Sequence, residues 1–106
     1  MEVKLFESIE EAFDVLKEND TRLVRANGQN ICVVRREGDI IAFQNECPHQ
    51  GESLHKGLVN YLGEIVCPLH SYRFSLSNGE TSSQPCRPLK FIPVRIKKAV
   101  YLDLLA

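Results

Sequence analysis

The sequence predicts an all-β fold, mainly antiparallel, arranged as a sandwich or barrel with one short helix near the N-terminus. Three observations predict it. Short segments rich in Val and Ile recur along most of the chain. Turn sequences punctuate them at Asn27-Gly28, Glu37-Gly38-Asp39, Leu62-Gly63 and Ser77-Asn78-Gly79. Only one stretch, close to the start, changes to a helical period. At 106 residues the chain reads as a single domain, 1–106, with room for one core and none for a second catalytic unit.

Val3 to Phe6 forms a short first strand. Ser8 followed by Glu11 has the form of a capping box, and Ile9, Ala12, Phe13 and Leu16 then recur at helical spacing, so a helix is expected from about Ile9 to Glu18. Thr21 to Ala26, Asn30 to Arg36 and Asp39 to Asn45 follow as a three-stranded meander. Cys32 falls within the middle strand, where a free cysteine behaves as a small buried hydrophobe. Leu58 to Tyr61 and Glu64 to Val66 make a small hairpin, and Tyr72 to Leu76 another strand. Thr81 to Pro88, with Pro85 and Pro88, cannot be regular structure. Two final strands, about Phe91 to Lys97 and Val100 to Leu104, close the sheet.

The formal net charge of -1 gives no reason to expect nucleic acid as a partner. Charge is nonetheless uneven. Residues 1–20 carry seven acids against Lys4 and Lys17, while residues 87–106 carry Arg87, Lys90, Arg95, Lys97 and Lys98 against Asp103. These read as two solvated faces, with an acidic docking patch as the sharper alternative. No segment is long and apolar enough to cross a membrane, and the N-terminus lacks the basic-then-apolar pattern of a signal peptide. The expectation is a soluble, cytoplasmic protein whose cysteines favour metal or stay free.

The chemistry lies between Cys47 and His70. The stretch begins Cys47-Pro48-His49-Gln50-Gly51 and ends Cys67-Pro68-Leu69-His70, so each end offers one thiolate and one imidazole. Such ligands suit zinc, copper or iron-sulfur clusters. A structural zinc finger groups its histidines on a helix and its cysteines on a hairpin, whereas each loop here mixes the two. A plant-type cluster needs Cys-x4-Cys-x2-Cys, and these cysteines lie 15, 20 and 19 positions apart. Both alternatives fit poorly.

The arrangement Cys-x-His, seventeen intervening residues, Cys-x2-His resembles the motif of the Rieske ferredoxin family. The resemblance is close over both loops, continues in Phe74, Gly79-Glu80 and Pro85, and extends more loosely from about Leu23 to Leu104. It implies a Rieske-like β-sandwich or barrel with a small cluster-binding subdomain. Its loops would span about 45–57 and 67–74, with a proline-containing covering loop at about 81–88. It further implies one [2Fe-2S] cluster per chain, with Cys47 and Cys67 on one iron and His49 and His70 on the other. Two neutral imidazoles in place of two anionic thiolates ease reduction. Centres of this kind span roughly -150 to +300 mV, against about -400 mV for all-thiolate clusters.

Within that range the resemblance implies a low potential. High-potential members carry an extra cysteine in each loop, where this chain has Glu52 and Leu69, and a serine and a tyrosine where it has Tyr72 and Phe74, so the hydroxyl expected at Phe74 is missing while Tyr72 keeps one that could reach a sulfur. Ser71 stands where the family usually has glycine, and Cys86 where alanine is common. Cys86 reads as a packing residue, or more sharply as a thiol near enough to tune the cluster. His55, without a cysteine partner, reads as a solvent-exposed residue near the tip where electrons leave, with docking as its alternative role.

The implied function is a one-electron carrier, not an enzyme, that takes electrons from a flavin-dependent reductase and passes them to a terminal oxygenase. The rivals are a small subunit of a nitrite reductase or other multi-subunit reductase, and a zinc-binding structural or regulatory domain.

Overall fold

The computed structural model describes residues 1–49, 51–81 and 86–104. Among the described residues, ten short strands form three antiparallel sheets, beside one α-helix and one 3₁₀ turn. Strand β1 (Glu2–Phe6) pairs with β10 (Val100–Asp103), which pairs with β9 (Val94–Ile96). Strands β2 (Thr21–Ala26), β3 (Gln29–Arg36), β4 (Asp39–Gln44) and β8 (Phe91–Ile92) form the second sheet in that order. Strands β5 (Leu58–Val59), β6 (Glu64–Val66) and β7 (Arg73–Ser75) form the third. The predicted mainly antiparallel, all-β class is the observed one.

The central sheet is buried on both faces, which explains why Ile31-Cys32-Val33-Val34 reads as a continuous apolar run. Ile31, Val33, Ile40 and Ala42 face one core, shared with Ala12 and Leu16 of the helix and Val100 and Leu102 of β10. Cys32, Val34 and Phe43 face a second core, shared with Ile65, Phe74, Leu54, Cys47 and Cys67. Side chains alternate at period two, so successive residues of β3 and β4 serve different cores. The second core carries the ligand loops. Cys32 is fully buried, as expected.

Helix α1 (Ile9–Val15) is shorter than its apolar period suggests. Ser8 Oγ accepts the Glu11 N–H at 3.1 Å, as the capping pattern predicts. The far end is closed from outside: Arg35 Nη1 donates to the carbonyls of Phe13 and Leu16, each at 3.0 Å, and its guanidinium lies 4.3 Å from the Phe13 ring centroid. Terminal carbonyls that a further turn would have paired are thus satisfied by a strand residue. Beyond Leu16 the chain turns through Asn19, at φ 63, whose N–H donates to Arg35 O at 2.7 Å.

A single strand from Phe91 to Lys97 is corrected by the structure. Pro93 has no N–H to give a ladder, and the segment breaks there: Phe91–Ile92 pairs with β4, while Val94–Ile96 pairs with β10. The proline transfers the chain from one sheet to another. No helix among the described residues is long and apolar enough to span a membrane.

Candidate metal centre

The two loops are closed in the same manner. The Cys47 N–H donates to Glu52 O at 2.8 Å, and the Cys67 N–H donates to Tyr72 O at 2.8 Å. Each loop therefore begins with a cysteine whose amide is bonded five residues ahead. In the first, Gly51 N–H also donates to Cys47 O at 2.7 Å, with Gly51 at φ 76. In the second, His70 and Ser71 both take left-handed backbone, at φ 65 and φ 56. Ser71 thus adopts the conformation that glycine would adopt without strain.

This geometry sorts the donors by depth. Cys47 and Cys67 are buried, His49 is half-buried and His70 is exposed. The imidazole ring centroids lie 6.2 Å apart, and Cys47 and Cys67 belong to one buried cluster. Among the described residues no three His, Cys, Asp or Glu side chains surround one ion position. The four donors stand instead as a thiol pair within and an imidazole pair without. Burial chiefly, and then the neighbouring Cys47, hold the Cys67 thiol above its ordinary range, so binding a metal there releases a proton.

The Nδ1 of His49 is buried and has no hydrogen-bond partner among the described residues. An orphaned polar atom of this kind costs about 1–3 kcal/mol, and coordination would remove that cost. With two buried thiols in the same pair of loops and a second imidazole ring 6.2 Å away, the donor set has the residue types that fit a [2Fe-2S] group. His49 is held in orientation by Tyr72, whose ring stacks on it at 3.7 Å between centroids and 8° between planes. Its planar contact with a candidate ligand was not evident from position alone.

Two further residues were not singled out, or were read differently. Asn45 is buried, at 7% exposure, and brackets the first loop: its Oδ1 accepts the His55 N–H at 2.7 Å and its amide nitrogen lies 2.8 Å from His55 Nδ1. Because the backbone N–H fixes the amide's orientation, the second contact makes His55 Nδ1 an acceptor. His55 is therefore not a freely exposed residue of the tip. It is half-buried in a 3₁₀ turn (Leu54–Lys56), and its carbonyl accepts Thr21 Oγ1 at 2.8 Å. Nothing in the spacing marks Asn45; only its place between a strand and a ligand loop hints at a fastening role.

Cys86 is half-buried against the second core, and its thiol donates to Arg87 O at 3.3 Å. Burial and then the nearby Cys47 raise its pKa, which is the opposite of activation and accords with packing. Pro85 and half of the covering segment lie outside the described residues, as does Gln50 of the first loop.

The model of the Rieske [2Fe-2S] domain matches residues 9–94. The chain is similar to the ferredoxin component of the naphthalene 1,2-dioxygenase/salicylate 5-hydroxylase systems of a Ralstonia species, at 34% identity over 79% of this chain and 81% of that one. It is also similar to the ferredoxin component of the naphthalene 1,2-dioxygenase system of Pseudomonas putida, at 32% identity over 98% and 99% of the two chains. Among solved structures, the complex of reduced oxygenase and oxidized ferredoxin in carbazole 1,9a-dioxygenase contains a chain that aligns at 26% identity. It does so with a TM-score of 0.79, covering 95% of this chain and 91% of that chain.

Proposed function

Because the chain belongs to the Rieske [2Fe-2S] domain family, we propose that it is a one-electron carrier between a flavin-dependent reductase and a terminal oxygenase, with Cys47, His49, Cys67 and His70 as its cluster ligands. The observation that carries this reading is the donor set sorted by burial, two buried thiols with a half-buried and an exposed imidazole, and the buried His49 Nδ1 left without a partner among the described residues. When bound, a [2Fe-2S] group supplies a centre that gains and loses one electron at a potential above that of all-thiolate clusters.

The chain's own residues supply the rest. Cys47 and Cys67 anchor the inner side within apolar surroundings that include Leu54, Ile65 and Phe74, which exclude water and limit solvent access to the thiols. His49 is half-buried and His70 exposed, and the exposed His70 offers the route to a partner. Tyr72 and the Asn45–His55 bracket hold the two loops in place. The chain is a carrier and not itself a catalyst. The oxygenase as acceptor is supported by the carbazole complex and the named dioxygenase systems; the reductase follows from the need for a donor of single electrons.

The test is reconstitution. The chain, loaded with cluster, is combined with NADH, a flavoprotein reductase and the terminal oxygenase of a naphthalene dioxygenase system. Product formation should require the loaded chain and vanish with His70→Ala. Failure to pass electrons to oxygenases, together with stable co-purification with a sirohaem subunit, would favour the nitrite reductase alternative.

A further inference from the structure

Of the five cations in the basic C-terminal segment, two are paired on one sheet, Lys98 is exposed between β9 and β10, and two line one groove. Arg95 Nη2 lies 2.8 Å from Asp103 Oδ2, and Lys97 Nζ lies 3.0 Å from Glu2 Oε1, so these cations are neutralised on the sheet of β1, β9 and β10. Arg87 and Lys90 differ. Both are exposed, and neither side chain makes an ion pair or hydrogen bond among the described residues.

They line a groove of about 420 Å³ whose wall includes Pro48, the residue between Cys47 and His49. The groove has a firm mount: Lys90 O accepts the Gln44 N–H at 2.9 Å, and Leu89 N–H donates to Gly79 O at 2.8 Å. Glu46, exposed and likewise without a side-chain partner among the described residues, also lines it. The local balance is two cations to one anion in a chain whose net charge is -1.

We propose that this groove seats an acidic segment of the electron-accepting protein, its carboxylates meeting Arg87 and Lys90 while a hydrogen-bond donor meets Glu46. The inference rests on the carrier reading and adds the chemistry of the partner's surface. Exposed charges beside an electron-transfer site act mainly on encounter and orientation, so the patch sets the rate of productive docking more than the strength of the complex. Glu46 makes the groove polar in direction, which fixes how the segment lies.

Charged oxidants test it without requiring the partner. The reduced, cluster-loaded protein gives one electron to ferricyanide, forming ferrocyanide and oxidised protein, and the rate is followed by stopped flow. It should fall as salt rises, despite the net negative charge of the chain. The double variant Arg87→Glu/Lys90→Glu should slow this reaction about tenfold at low salt and speed oxidation by tris(phenanthroline)cobalt(III), with its visible spectrum unchanged. Hexaglutamate should inhibit the wild-type reaction and not that of the variant. A ferricyanide rate that rises with salt, a double variant equal to the wild type, or inhibition by hexalysine in place of hexaglutamate would overturn the proposal while leaving the carrier reading intact. A protein that cannot be reduced at all overturns both.

Discussion

The rings of Tyr72 and His49 lie face to face, 3.7 Å between centroids and 8° from parallel. The contact joins the end of one ligand loop to the middle of the other, so the two loops are oriented by a shared aromatic stack. Tyr72→Phe keeps the stack, whereas Tyr72→Ala removes roughly 1 kcal/mol of ring contact and frees the imidazole. Iron released to a chelator over time should be clearly faster for Tyr72→Ala than for Tyr72→Phe.

Gly57 lies where the first loop enters β5. A Cβ built there would lie 2.0 Å from Val66 O, a backbone atom one residue before Cys67. Gly57→Ala must therefore push β5 away from β6 and disturb the Leu58–Val66 pairing that precedes the second loop. The expected cost is about 1–3 kcal/mol, read from denaturant unfolding, with a lower iron content in the purified protein.

Glu52 lies within the first loop, and after burial and Cys47 its charge adds to the raised pKa of Cys67. A carboxylate near an anionic centre opposes the arrival of an electron. Glu52→Gln should raise the reduction potential by tens of millivolts, on the order expected for one charge acting through partly screened protein. Protein-film voltammetry measures it, and a lower potential in the variant would contradict the placement.

Burial pushes the Cys32 thiol up to about 12 from an ordinary value near 9. A raised folded-state value means that the stabilising contribution is complete below pH about 9 and is lost as pH rises toward about 12, because the unfolded chain ionises first. Stability should decline across that window by up to about 4 kcal/mol. Cys32→Val, similar in size and without a proton to lose, should flatten that contribution in equilibrium unfolding measured from pH 8 to 11.

The candidate donors stand out in the sequence because chemistry constrains the type and spacing of such residues so narrowly. The strands were legible through Val and Ile content and through turns such as Asn27-Gly28, where both residues take positive φ. Contacts between distant side chains were not. Arg35 ends the helix from a strand well beyond it, and no local pattern encodes that. Asn45 and His55 fasten the first loop across ten positions of irregular chain, where no period exists to be read. The break at Pro93 was available from the missing N–H, but alternation across Phe91 to Lys97 concealed it. Ser71 shows the reverse case: the loop keeps its left-handed backbone although the residue is not glycine.

The central claim is that Cys47, His49, Cys67 and His70 together hold a histidine-ligated [2Fe-2S] cluster. Electron paramagnetic resonance of the dithionite-reduced protein, with iron and sulfide counted on the same sample, tests it most directly. The expected result is an anisotropic signal of low average g with two irons and two sulfides per chain. A colourless, silent protein carrying stoichiometric zinc would contradict it.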